Sequence, residues 1–354
     1  MKRKMHFTRK KLWKAVAAAL SACFITSASA APILAEDLVN MEQDTGESET
    51  VKSYLTGEDV SAKAGRRRPI AVMLGNSQDA CPQSGISNAG VIYEVPVEGD
   101  ITRLMGIFED YDSLEKIGSV RSCRDYYLFY ANEFDAIYCH YGQAVYALQY
   151  LDQHLIDNLN GLEMEGTAYY RTSDRKAPHN AYTGYSYLQK GIEQKGYTQE
   201  YKEDYTGHYQ FAPEGTETTL DEGTAANMVK LDNFTVNHPW FEYDAQTKEY
   251  KRFQYGEAQV DELTNEQLTC DNIILQYSSY QPYDENGYLN IDTSSGGSGK
   301  FITRGKAIDI RWEKDSQWGI TRYYDANGNE IQLNPGKTWV EIIKNDRIDS
   351  VTYQ

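Results

Sequence analysis

The densest group of chemically able side chains lies mid-chain. The run RTSDRKAPHNAY places Arg171, Asp174, Arg175, Lys176, His179, Asn180 and Tyr182 within twelve residues, without helical or strand period. A polar run of this kind does not build a core, and loops held on a scaffold commonly carry function. Pro178 restricts Ala177 and stiffens the approach to His179, whose imidazole titrates near neutral pH. The composition points to an anion-binding or general acid/base loop. The structural alternative is a surface loop pinned by a pair between Asp174 and an arginine.

A second group is GSVRSCRD, residues 118–125. A strand end feeding a helix start offers free amides and a positive dipole, which suits an anion. Arg121 and Arg124 add guanidinium groups matched to carboxylate or phosphate. The plainer reading is a capping box, with Ser122 and Asp125 three apart at the helix start. Third come Glu94, Glu98 and Arg103. Glu94 sits inside an apolar run, where an unpaired carboxylate is costly, so it is either an acid/base of raised pKa or the partner of Arg103. His140 ends a buried run before Tyr141-Gly142, where strand C-termini of layered α/β folds face ligand crevices. No metal site is expected, because no His-x-x-x-His or comparable spacing occurs, and no cofactor motif is present. Pro82-Gln83-Ser84-Gly85 lacks the G-x-S-x-G elbow, and the glycine-rich run at 294–300 lacks the order of a phosphate loop.

Elements that could position these groups follow from periodicity. Pro69–Leu74, Val91–Val97 and Ile101–Phe108 are apolar strands, the last two joined by a turn at Glu98-Gly99-Asp100. Tyr127, Tyr130, Ala131 and Phe134 fit one helical face. Asp135–His140 reads as a buried strand, Ala144, Ala147, Leu148 and Leu151 as a second helical stripe, and Tyr185–Lys195 as a third helix. From about 230 the pattern becomes alternating runs and turns, Asn327-Gly328 among them, with Trp339–Ile343 as the closing strand. The expected fold is an α+β or layered α/β domain (66–205), a connection (206–229), and a mainly antiparallel β domain (230–354), a meander or small barrel.

The first 30 residues carry seven Lys/Arg and no acid, then an apolar run, the layout of an export signal. Ala28-Ser29-Ala30 offers one cleavage site. Leu20-Ser21-Ala22-Cys23 resembles a lipobox instead, which would make residues 1–22 the signal and Cys23 the lipidated residue. Residues 31–65 read as a flexible tether. The net charge of −17 becomes 28 minus 52, or −24, beyond residue 30, which argues against nucleic acid as a partner. Cys81, Cys123, Cys139 and Cys270 allow disulfides in an oxidising compartment or serve as buried thiols.

Ordered runs carry a family resemblance: RPIAVMLGNSQDACPQSGISNAGVIYEVPVEGDITRLMGIF, EKIGSVRSCRDYYLFYANEFDAIYCHYG, YYRTSDRKAPHNAYT, and later DNIILQ, GSGKFITRGKAIDIRW and IQLNPGKTWVEI. Together, over about residues 66–345, the chain resembles the YerB-like lipoproteins, a bacterial family of unknown function. The resemblance implies a two-domain envelope protein, often lipid-anchored, and supplies no reaction. Gly75-Asn76 stands where the family usually has Asp-Asn, Cys123 and Cys139 replace small or apolar residues, and GEAQVDEL lacks an expected His. Asn76 joins Arg103, Arg121, Arg124, Arg171, Asp174, Arg175 and Asn180 as ligand-binding candidates. Glu94, Glu98, His140 and His179 are the acid/base candidates. Cations concentrated in an acidic body predict an anionic envelope ligand: a cell-wall glycan, a peptide carboxylate or a phosphate polymer. The alternatives are a hydrolase or transferase acting on that polymer, and a module that docks on another envelope protein.

Overall fold

The computed structural model describes residues 49–354; the export signal, Cys23 and the first part of the expected tether lie outside them. Apolar runs with no polar alternation need cover on both faces, and the strands they form are buried at every position. These are β1 (Ile70–Gly75), β2 (Val91–Pro96) and β3 (Thr102–Phe108). They continue with β4 (Ile137–His140), β5 (Asn158–Asn160), β6 (Thr224–Ala225), β7 (Asn272–Ser278), β8 (Gly297–Thr303), β9 (Lys306–Glu313), β10 (Arg322–Tyr324) and β11 (Thr338–Lys344) into one 11-stranded sheet. Its order is β6-β9-β8-β7-β11-β2-β3-β1-β4-β5, with β10 also on β9. A separate six-stranded sheet holds Met228–Leu231, Trp240–Asp244, Glu249–Gln254 and Val351–Tyr353, with short strands at its edge.

The expected split into an α/β domain and an antiparallel β domain meets a mixed sheet here. Trp339–Ile343, expected to close the fold, lies at the sheet's centre in β11, parallel to β7 on one side and to β2 on the other. The two sequence halves therefore share one hydrogen-bonded sheet, and Ser48–Gln354 forms one compact unit. Side chains alternate between the faces. Ile70, Val72 and Leu74 enter one core with Leu188, Ile192, Phe241 and Trp339; Ala71 and Met73 enter the other with Tyr130, Phe301 and Trp312. Each core draws on both halves.

Helix α1 (Asp125–Asn132) is buried on all sides, which explains its run of Tyr126, Tyr127, Phe129 and Tyr130. Its N-cap is Arg124, without a side-chain cap, so the Ser122–Asp125 capping box does not form. The Asp125 carboxylate instead accepts from the Tyr283 hydroxyl at 2.6 Å. Helix α2 (Tyr185–Lys195) ends at Gly196, whose φ of 71° is the left-handed region glycine favours.

The tether expectation fails over residues 49–65. Thr50–Lys52 pairs with Asp59–Ser61, and Ser61 caps a helical turn at Ala62–Gly65. Arg67 and Arg68 are buried. Arg67 donates to Asp112 at 2.5 Å, and Arg68 to Asp157 at 2.7 Å. Within the expected connection, Gln210–Phe211 runs parallel to Gln332–Leu333, and β6 is an edge of the large sheet. The cysteines at 81, 123, 139 and 270 are unpaired thiols.

Candidate functional site

Three arginines meet beside the carboxyl end of β1 and β4. Arg103 opens β3 opposite Gly75. Arg121 and Arg124 come from the segment after Ile117–Gly118, which lies along Tyr141–Gln143: Tyr141 N–H donates to the Arg121 carbonyl at 2.9 Å, and Cys123 N–H to the Gly142 carbonyl at 2.9 Å. Parallel strands β1, β4 and β5 end on this side, where open α/β sheets present their ligand crevices.

The arginines differ in what neutralises them. Arg124 donates two hydrogen bonds to Glu98, at 2.6 and 2.8 Å, in a fork-to-fork pair. Burial works against its charge, and Glu98 more than restores it, so its pKa rises. Arg103 is 6% exposed. Its guanidinium donates to the Ser122 carbonyl at 2.6 Å, and no carboxylate among the described residues pairs with it. Burial and then Arg124 lower its pKa. Arg121 is half-buried, and its side-chain contact is the His179 ring at 3.0 Å. An arginine N–H only donates, so Nδ1 of His179 accepts and the ring proton sits on Nε2. Burial, then Arg103 and Arg124, bring Arg121 down to about 10, which leaves it cationic at neutral pH. Burial, with Arg121 second, lowers His179. Two guanidinium groups without carboxylate partners among the described residues remain beside one neutral imidazole.

The 171–182 loop is the connection of a small hairpin, Tyr170–Arg171 with Ala181–Thr183. Its residues separate. His179 joins the arginines. Arg175 donates to the carbonyls of Ala80 and Pro82, at 2.9 and 2.8 Å, and to Glu262 at 3.1 Å, so it fastens the 80–84 segment. Arg171 pairs with Glu165 at 3.2 Å and donates to Asn180 at 2.8 Å, with its guanidinium 4.4 Å from the Tyr141 ring. Asp174 is exposed, and among the described residues no arginine pairs with it.

Glu94 belongs elsewhere. It is fully buried, and its partner is Arg252, not Arg103. Asn76 at 3.1 Å, Thr102 at 2.6 Å and Asn237 at 2.8 Å donate to its other oxygen. Arg252 reaches across to Glu341 at 2.9 Å and packs against Phe241 and Trp339, each 4.5 Å from its guanidinium carbon and in edge-to-face contact with one another. Gln254 donates to Asn76 at 3.1 Å, and Gln259 to Gln83 at 3.2 Å. This closed network ties the two halves together. It removes Glu94 and Asn76 from any solvent-facing site, so the expected Glu94–His179 acid/base pairing has no accessible carboxylate. His140 is also buried, its ring nitrogens 2.8 Å from the Gly142 carbonyl and 3.2 Å from Asn158 Oδ1, and burial lowers its pKa. Glu98, the remaining acid, is engaged by Arg124.

Sequence reasoning missed the C-terminal contribution. A hairpin, Tyr280–Pro282 with Leu289–Ile291, reaches back to α1. Tyr288 lies 5.4 Å from the Arg124 guanidinium, and Tyr283 stacks on Tyr146 at 4.0 Å.

A strand-rich protein of two interlocked sequence halves, with arginines gathered on one of them, is the class these features define. The chain belongs to the DUF3048 family of proteins of unknown function: residues 55–198 match its N-terminal domain and residues 229–340 its C-terminal domain. It is 33% identical over 313 residues to the protein named "Putative lipoprotein YerB" of Bacillus subtilis (strain 168), covering 86% of this chain and 91% of that one. The crystal structure of the YerB protein from Bacillus subtilis superposes with a TM-score of 0.77 at 31% identity, covering 86% of this chain and 99% of that one. Among the described residues no helix is long and apolar enough to cross a membrane.

Proposed function

We propose that this protein binds an anionic component of the cell envelope through Arg103, Arg121 and His179, and holds it without turnover. One observation carries the reading: Arg121 has His179, not a carboxylate, as its partner, while Arg103 beside it is nearly buried and faces a carbonyl. Concentrating unneutralised cations is unfavourable unless an anion completes the set. Fork-shaped guanidinium groups suit carboxylate or phosphate. The acidic remainder of the body makes that local excess more selective. Binding is favoured over hydrolysis or transfer because Glu94, Glu98 and His140 are each saturated by internal partners.

An extracytoplasmic, lipid-anchored placement is supported by the name of the Bacillus subtilis relative and by the basic and apolar start that leads to Cys23. Docking on another envelope protein stays subordinate, since no surface observation favours it.

Calorimetric titration of the purified protein with inorganic phosphate and with lactate tests the reading. Saturable binding is expected, weakened about tenfold or more by Arg121→Ala, on the scale of one lost charge-assisted hydrogen bond. Equal affinity in folded Arg121→Ala and Arg103→Ala variants would end the proposal.

A further inference from the structure

Tyr146, Tyr283 and Tyr288 form an aromatic cluster that belongs to neither hydrophobic core. All three are only partly covered. Tyr146 and Tyr283 stack with an interplanar angle of 11°, and Tyr288 meets Tyr146 edge-on at 5.7 Å. Two carboxylates hold the hydroxyls: Asp125 accepts from Tyr283 at 2.6 Å, and Asp284 from Tyr146 at 2.9 Å. Arg124 bridges this cluster to the arginine site, packing on Tyr288 while its charge is felt at Arg103 and Arg121.

The surface thus changes character along its length. At one end stand two cations without carboxylate partners among the described residues. The other end offers partly exposed ring faces beside the Asp284 carboxylate, which retains lone pairs for further donors, while Asp125 is buried beneath Tyr283. A molecule that fits both ends carries one anionic group, an apolar ring face and several hydroxyls. We propose that the anion bound by Arg121 and Arg103 is a substituent on a saccharide, whose ring packs on the Tyr283–Tyr288 cluster. The inference rests on the anion-binding reading above and adds the ligand class. Single-stranded nucleic acid also combines aromatics with cations, but it brings a charge on every unit. A body whose charge beyond residue 30 is 28 minus 52, or −24, repels such a chain. A sugar with one isolated anionic group meets only the local cations.

The probes are the disaccharide of N-acetylglucosamine and N-acetylmuramic acid, its neutral counterpart chitobiose, lactate, inorganic phosphate and an oligothymidylate. The carboxylated disaccharide is expected to bind tighter than chitobiose, through its carboxylate, and about tenfold tighter than lactate, from packing on the aromatic faces. Tyr283→Ala and Tyr288→Ala remove that advantage and leave phosphate affinity unchanged. Tyr283→Phe, which keeps the ring, retains it. A disaccharide no tighter than lactate, Tyr variants without effect, or tighter binding of the oligothymidylate each overturns the saccharide inference. If phosphate binding still requires Arg121, the anion reading survives. If phosphate affinity is equal in Arg121→Ala, the underlying reading has failed instead.

Discussion

Arg252→Ala is expected to destabilise the folded protein by about 4 kcal/mol, the scale for removing one partner of a buried ion pair. The substitution leaves Glu94 and Glu341 facing each other across β2 and β11, where they are register partners, with no cation between them. It also removes the guanidinium that packs against Phe241 and Trp339. Lysine at 252 cannot reach both carboxylates in one fork, so Arg252→Lys should recover only part of the loss. Urea denaturation measures all three proteins; Arg252→Ala within about 1 kcal/mol of wild type, the range of exposed pairs, would show that the triad does not hold the halves.

The two acids of that triad are not equivalent. Glu94 receives four donors, whereas Glu341 accepts from Arg252 alone and leaves its second oxygen without a partner. Glu94→Gln is therefore expected to destabilise, since an amide turns a donor toward donors. Glu341→Gln is expected to be neutral or stabilising. Burial, then the nearby Glu94, raise the Glu341 carboxyl well above 4.5. A group raised in the folded state holds a proton that the unfolded chain releases above 4.5. Its stabilisation is present below that pH and fades as pH rises through the folded value. Stability curves of wild type and Glu341→Gln should then diverge with rising pH, the variant keeping more; parallel curves would contradict this assignment.

How far the sequence revealed this molecule depended on range. Strands and helices with local periods were legible: β2 and β3 with their turn, the presence of α1, and the full extent of α2; the single buried face expected for α1 was not found, since that helix is buried all round and ends before Phe134. The central place of β11 was not, because TWVEII carries no mark of its neighbours, and parallel pairing with both β7 and β2 is a long-range fact. A signal was nonetheless present in TKEYKRFQ. Tyr250, Arg252 and Gln254 share the inward face of an alternating strand, and an arginine at such a position must have a buried partner. Likewise Glu341 interrupts an apolar run, as Glu94 does. Reading the three together would have paired them with one another in place of Glu94 with Arg103. Among the candidate residues, Arg121, Arg103 and His179 converge because neighbouring strand ends and one hairpin meet there. On the same loop, Arg171 instead contacts Glu165 and Asn180 and Asp174 is exposed, and no short-range pattern distinguishes the two groups.

A second buried cluster is expected to show an opposite pH signature. Glu133, just beyond α1, accepts from Lys314 at 2.7 Å and from Thr321 N–H and hydroxyl at 3.0 and 2.9 Å, with His208 at 2.9 Å. Burial pushes this carboxyl up, but Lys314 and His208 outweigh it and hold it at about 2, against 4.5 when exposed. A depressed group contributes stability that is present above 4.5 and lost as pH falls toward about 2. On this basis Glu133→Gln should cost on the order of 3 kcal/mol at neutral pH, and the difference from wild type should shrink steadily in acid. Lys314→Ala, which strands the carboxylate, should cost about 4 kcal/mol. The consequence reaches the site, because α1 begins at Arg124 and ends at this clamp, and Asn132 adds a bond to the Trp318 carbonyl at 2.8 Å. Loosening the clamp frees the helix whose start aligns Arg124 with Glu98 and Tyr288. Lys314→Ala is therefore expected to weaken disaccharide binding without touching any ligand-facing residue, at temperatures where the protein remains folded. Unchanged binding alongside the stability loss would show that the clamp acts on stability alone.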